Sequence, residues 1–298
     1  GLEIDLYEFN RTRKRSVGFG LITFLFPQVL GTLAVWYFLG TSWSAALLVA
    51  SMFASHTLLA YPIASRLGIQ KTEPVTITVG ATIVTNVLSL LVLAVVVDAA
   101  GGAEMDALFW LRIGIGMAVL VFITWYGIPK LARWFFQNVT ESSGSQFMFV
   151  LSVTCACAYF SNYARMEPII GAFLAGAAFN RLIPERSPLM NRLSFAGNTL
   201  FIPFFLISVG MLVNPGAMLG DLEVWQVIGV MVGMVIITKA FAAWIGGALF
   251  RYNRAETTVV FGLSVVQAAA TLAAVLVGLR VELLNQAFLN GAIGMILV

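Results

Sequence analysis

Apolar residues in this chain come in long runs, and polar residues come in short clusters between them. A helix that crosses a bilayer needs about 20 mostly apolar residues. The pattern predicts such helices at 16–39, 42–64, 74–97, 107–128, 145–164, 168–183, 197–213, 223–250, 256–279 and 284–298. The connections are short and rich in Pro, Gly, Asn and charge, and none reads as a separate soluble domain. Residue 1 is Gly and the last run stops at Val298, so the sequence is expected to be a fragment, incomplete at both ends.

Two of these spans are interrupted near mid-depth. The first, 42–64, carries Ser51, Ser55-His56-Thr57 and Tyr61-Pro62; the second, 256–279, carries Ser264, Gln267 and Thr271. Non-helical backbone at that depth is tolerated only where protein or a watery cavity surrounds it.

Composition agrees with the pattern. The chain is 60% hydrophobic and 10% charged, with a mean hydropathy of +0.93, whereas soluble domains carry about 25% charged residues. A soluble enzyme and a secreted disulfide domain are excluded. The formal net charge of +3 is too small to point to nucleic acid, and the placement of the charges says more. Arg11, Arg13, Lys14 and Arg15, then Arg66 and Lys71, Lys130 and Arg133, Arg181, Arg186 and Arg192, and Arg251 and Arg254 fall at alternate connections, which are therefore cytoplasmic. The opposite connections hold Asp98, Glu104, Asp106, Glu167, Asp221, Glu223 and Glu282, with only Arg112, Arg165 and Arg280 as cations. This threading runs 42–64 inward and 256–279 outward. Two broken spans of opposite direction are the mark of inverted repeats around a midplane ion or substrate site.

Lys239 is the one cation outside that account, in the middle of Ile236-Ile237-Thr238-Lys239-Ala240-Phe241. A charge at that depth costs at least about 2.5–3.5 kcal/mol, which favours a functional role over snorkelling to an interface. An intramembrane carboxylate is its natural partner, yet from Ser16 to Val97 the only acid is Glu73, at a cytoplasmic connection. The span 74–97 offers Thr85-Asn86 instead, which fits interhelical hydrogen bonding and ion ligation equally well. His56, the single histidine, reads first as a hydrogen-bonded structural residue and second as a proton relay. Cys155 and Cys157 read as buried thiols. The small residues of Gly171-Ala172-Phe173-Leu174-Ala175-Gly176 allow close helix contact. No phosphate loop, metal-spaced His/Cys cluster or hydrolase triad occurs, so neither an enzyme nor a cofactor is expected.

Several of these segments match a known family. Gly1-Leu2-Glu3-Ile4-Asp5, Ser55-His56-Thr57 with Tyr61-Pro62, Gly171 to Gly176, Pro203-Phe204-Phe205-Leu206-Ile207-Ser208-Val209-Gly210-Met211 and the mid-span Lys239 together resemble the monovalent cation:proton antiporter-2 family, over essentially the whole chain. The resemblance implies an all-α, polytopic, inverted-repeat antiporter fold with two crossing discontinuous helices. It also implies a homodimer in a bacterial cytoplasmic membrane that exchanges Na+ or K+ for H+. On that pattern, 1–15 is the end of a preceding helix and a basic cytoplasmic loop. Residues 16–97 and 223–298 form the ion-binding core, 98–144 links, and 145–222 forms the dimerisation side. The site would comprise Asn86 and Thr85 as monovalent-cation ligands, with Lys239, Ser55, Thr57, His56, Gln267 and Thr271 around them.

The family usually has an acid where this chain has Asn86. Three explanations follow: Asn86 is an engineered or natural replacement that mimics the protonated state; Lys239 and His56 carry the proton instead; or the fold is kept as a non-transporting ion or pH sensor. A channel-like pathway without proton coupling is a further reading.

Overall fold

The computed structural model describes residues 6–57, 60–101, 107–138, 142–163, 168–180, 182–184, 187–211 and 222–297. The Gly1–Asp5 motif and the charged residues Glu104, Asp106, Arg165, Glu167, Arg181, Arg186 and Asp221 lie outside them. Every described element is helical: α1 (Leu6–Leu39), α2 (Trp43–Ala54), α3 (Tyr61–Arg66), α4 (Glu73–Ala100), α5 (Ala107–Phe122), α6 (Ile128–Asn138), α7 (Ser143–Tyr163), α8 (Pro168–Asn180), α9 (Pro188–Phe195), α10 (Ile202–Gly210), α11 (Leu222–Phe250), α12 (Arg254–Ser264), α13 (Ala269–Arg280) and α14 (Gln286–Leu297). Among the described residues, five helical stretches are long and apolar enough to cross a membrane: Thr12–Leu39, Glu73–Ala100, Gly114–Asn138, Gly144–Asn162 and Leu222–Phe250. The protein is an all-α, multi-pass membrane protein.

The two interrupted spans are helix pairs, α2 with α3 and α12 with α13, broken where the polar residues predicted it. Several helix boundaries differ from expectation. The segment Leu6–Arg15, read as the end of a helix and a loop, is continuous with α1, because it contains no Gly or Pro and charge alone does not stop a helix. Likewise 107–128 does not end at Ile128. A π-helical turn, Ile123–Gly127, carries α5 into α6, so Lys130 and Arg133 are helical.

That π turn has a chemical cause. Ile128 N–H bonds to the Ile123 carbonyl, five residues back, and the next residue is Pro129, which has no N–H to continue the usual ladder. The same device recurs at Ala196–Phe201, where Ile202 N–H reaches the Gly197 carbonyl and Pro203 follows. It joins α9 to α10, so the helix expected to start at 197 begins at Pro188, capped by Ser187.

The chain divides into two compact units, one of Tyr7–Gly101 with Val213–Val298, the other of Gly102–Leu212 with Gly1–Leu6. In the two-part unit, α2 packs on α4 and α13, and α11 packs on α12 and α14. A Cβ at Gly291 would sit 2.6 Å from Met231 Sδ and 2.8 Å from Val227 Cγ1, so α14 packs against the side chains of α11 at a distance where any added methyl would make them shift. In the inserted unit, α8 packs on α7, and a Cβ at Gly171 would collide with the Cys157 carbonyl. This is the close contact that the small residues predicted. Cys157 is buried there, but Cys155, two residues earlier, faces outward; the expectation of two buried thiols holds for one.

Candidate functional site

The break after α2 leaves its last carbonyls without partners from their own helix, as every helix end does. Side chains supply most of what is missing. Ser55 N–H reaches the Ser51 carbonyl at 3.3 Å, and Ser55 Oγ lies 2.9 Å from the Met52 carbonyl. Gln267 Nε2, from the other break, donates to the Ser55 carbonyl at 2.8 Å and approaches that of Phe53 at 3.5 Å. Lys239 Nζ donates to the Ala54 carbonyl at 2.7 Å. The two breaks also join backbone to backbone, Thr57 N–H to the Val266 carbonyl at 3.0 Å. Gln267 Oε1 accepts from Thr271 Oγ1 at 2.9 Å and faces Ser55 Oγ at 3.3 Å.

Lys239 is fully buried on α11. Besides Ala54, its ammonium meets the Thr23 hydroxyl at 3.2 Å and the Thr23 carbonyl at 3.3 Å, both from α1. Three donors thus meet three neutral oxygens, one of them at the negative end of a helix dipole, worth about half a charge. The carboxylate expected from its chemistry is not among these partners; a helix end takes that place.

His56 is also fully buried and ties the first break to α4. Its Nε2 lies 2.8 Å from Thr82 Oγ1 and 3.3 Å from the Thr78 carbonyl, and its Nδ1 lies 3.3 Å from Thr85 Oγ1. Positions 78, 82 and 85 share one face of a helix. Their hydroxyls also bond back to their own helix, Thr78 to Pro74, Thr82 to Thr78 and Thr85 to Ala81.

Of the predicted residues, Ser55, His56, Thr57, Thr85, Lys239, Gln267 and Thr271 come together in this network. Asn86 does not join it: it is half-buried, and its Oδ1 is enclosed without a hydrogen-bond partner. Thr57 takes part through its backbone. Thr23, Thr78, Thr82 and the Ala54 carbonyl were not anticipated. The threonine spacing on α4 was the available signal for two of them, and nothing in a sequence marks a carbonyl. Among the described residues, no three His, Cys, Asp or Glu side chains converge as metal ligands. The oxygens present are neutral, which suits a monovalent cation or an ammonium rather than a divalent ion.

At one end of the same unit, Arg15 of α1 pairs with Glu73 of α4, and Tyr252, just after α11, donates to Glu73 Oε1 at 3.2 Å. Burial, and then the negative charge of Glu73, push the Tyr252 phenol well above its ordinary range. This cluster fastens three elements at the ends of their apolar stretches, with Tyr252 beyond the last residue of Leu222–Phe250.

Comparison with known proteins agrees with the geometry. The transmembrane sodium/hydrogen exchanger model matches residues 1–298. The chain is 37% identical to the Na(+)/H(+) antiporter NhaS5 of Synechocystis, over all of this chain and 43% of that protein. It is 27% identical to the probable Na(+)/H(+) antiporter 3 of Methanocaldococcus jannaschii, over 97% of this chain and 74% of that one. It is 25% identical to the Na(+)/H(+)-K(+) antiporter GerN of Bacillus cereus, over 89% and 67%. The chain therefore spans less than half of the Synechocystis relative. With a family match along its whole length, it belongs to the transmembrane sodium/hydrogen exchanger family.

Proposed function

We propose that the protein containing this chain is a secondary transporter that exchanges a monovalent cation, Na+ or K+, for H+ by alternating access. Residues 16–97 and 223–298 act as the ion-binding core, 98–144 as the link and 145–222 as the dimerisation side of a homodimer in a bacterial cytoplasmic membrane. The two broken helix pairs are the crossing members of an inverted repeat.

One observation carries this reading: the Lys239 ammonium rests on the Ala54 and Thr23 oxygens, with no carboxylate among its partners. An alkali cation seeks the same kind of oxygen, so the ammonium and the cation compete for one position. When Lys239 gives up its proton to the aqueous side, one positive charge leaves and one cation enters. Exchange is then one for one and needs no acid at position 86. Asn86 Oδ1 and Thr85 lie on α4 as further neutral ligands, His56 holds α4 to the break, and Gln267 with Thr271 keeps the break polar.

The test is proteoliposome exchange read by an internal pH dye. A pulse of Na+ or K+ is expected to shift lumenal pH in the given sequence and in Asn86→Asp. Silence in both overturns the reading. A conformational response without flux would identify a sensor, and cation flux without proton movement a channel.

A further inference from the structure

The inserted unit holds a second candidate site, with no bearing on Lys239. The described part of this unit contains no Asp or Glu, yet Lys130 and Arg133 stand exposed on α6. Among the described residues neither has an ion-pair partner; Arg133 uses only its Nε, on the Pro129 carbonyl at 3.1 Å. Two exposed cations with no ion pair among the described residues are free to take an anion from outside the chain.

The surface around them indicates which anion. A shallow, open depression of about 590 Å³ lies along one face of the continuous helix, lined by Phe122 and Tyr126, then Lys130 and Arg133, then Trp134, Gln137 and Asn138. Phe122 and Tyr126 are 64% and 63% exposed, with ring centroids 5.1 Å apart, so they present an apolar floor outward rather than to the core. Read from the middle of the span toward its cytoplasmic end, the order is aromatic, cationic, amide. Lys130 is eight residues past Phe122, about 12 Å along the axis. A phospholipid of the cytoplasmic leaflet has the same order over a similar depth: acyl chain, phosphate, headgroup. Arginine forks onto phosphate oxygens and lysine adds a point charge, and tryptophan prefers the headgroup level.

We propose that this depression binds one anionic phospholipid of the cytoplasmic leaflet, its phosphate held by Lys130 and Arg133 and its upper acyl carbons lying on Phe122 and Tyr126. A free anion would use the cations and leave the aromatic floor idle. The π turn contributes by carrying the helix through Pro129, which keeps the aromatic pair and the cationic pair on one continuous surface. Basic pockets beside spanning helices on the cytoplasmic side are a recurrent way of holding such headgroups.

The experiment is native mass spectrometry of the delipidated full-length protein. It is titrated with phosphatidylglycerol or with phosphatidylcholine of the same chain length, with inorganic phosphate as competitor. The wild type is expected to retain one phosphatidylglycerol in preference to phosphatidylcholine, and millimolar phosphate is expected not to displace it. Lys130→Gln with Arg133→Gln should weaken phosphatidylglycerol retention by about thirtyfold, the effect of two cations at a charged surface. Phe122→Ala with Tyr126→Ala should weaken both lipids, and Arg254→Gln, at a different cytoplasmic helix start, should change nothing. Thermal unfolding and gel filtration confirm that each variant is folded. Equal retention of the two lipids overturns the proposal, as does a double cation variant that binds like wild type. Displacement by phosphate would reduce the site to a simple anion site. Recovery of phosphatidylglycerol binding in Glu141→Gln but not in wild type would make Glu141, outside the described residues, the true counter-ion.

Discussion

The two units solve the problem of living in a bilayer in opposite ways. In the two-part unit, Lys239, His56, Gln267, Asn290 and a set of Ser and Thr residues are buried; in the described part of the inserted unit, the buried polar residues are Thr124 and Ser161. The inserted unit is held by contact. Gly171 lies against the α7 backbone, Phe135 stacks on Phe149 with centroids 4.1 Å apart, and Phe149 meets Phe179 edge-on at 6.1 Å. The two-part unit breaks two helices and uses the exposed carbonyls to seat an ammonium. Interrupting a helix in a membrane is costly unless each freed group finds a partner. Here Lys239, Gln267 and Ser55 are those partners, so the groups that satisfy the breaks are the groups the proposed exchange uses.

The sharpest way to break this comparison is Lys239→Met. If Lys239 is present for transport rather than for stability, exchange should fall below detection while thermal stability changes by no more than about 3 kcal/mol. Replacing a buried charge with an apolar group of similar volume is often close to neutral, and the oxygens it leaves cost about 1–3 kcal/mol. A large loss of stability would make Lys239 a structural cap.

Gly171→Leu attacks the other unit, forcing a side chain into the Cys157 carbonyl. Overpacking typically costs about 1–3 kcal/mol. Cys157 should then become as reactive to a maleimide as the outward-facing Cys155, whereas Ala at a glycine without close neighbours, such as Gly114, should leave it protected.

Thr82→Val keeps the shape of the His56 cage and removes its shortest contact, at 2.8 Å. His56 Nε2 then keeps only the Thr78 carbonyl at 3.3 Å, and the loss of one hydrogen bond should cost about 0.5–1.5 kcal/mol in thermal unfolding.

The smallest effect belongs to Tyr252→Phe at the half-exposed Arg15–Glu73 cluster, within about 1 kcal/mol at neutral pH. It has a pH signature. The folded protein holds the phenol above its ordinary value of 10.0, whereas the unfolded chain ionises there. The phenol's contribution is therefore intact below pH 10 and is lost as pH rises beyond it. Wild type should lose stability above pH 10 more steeply than Tyr252→Phe, as followed by denaturant unfolding across the alkaline range.

Much of this architecture was legible in the sequence, and the parts that were not share a cause. Apolar run length located the spans, and Ser55-His56-Thr57 and Ser264 with Gln267 marked both breaks, because polar side chains at mid-depth have few other uses. Helix ends were less legible. Leu6–Arg15 and Ile128–Asn138 are polar enough to look like connections, but a helix can continue past the bilayer when no residue stops it. The π turns depend on a backbone shift ahead of Pro129 and Pro203 that composition does not encode. At the site, Lys239 announced itself and its partner did not: a side chain identifies itself by type, whereas the Ala54 carbonyl becomes a ligand only because α2 ends there. The spacing of Thr78, Thr82 and Thr85 was visible, but threonines that bond back to their own helix look the same whether or not a histidine faces them.

The most direct test of the central claim is the half-saturating cation concentration for exchange, measured in proteoliposomes of the full-length protein across a pH series. If cation and proton compete one for one at Lys239, that concentration should rise about tenfold for each unit of falling pH while the ammonium dominates, and Lys239→Met should show no exchange at any pH. A half-saturating concentration indifferent to pH, or wild-type exchange in Lys239→Met, would contradict the account.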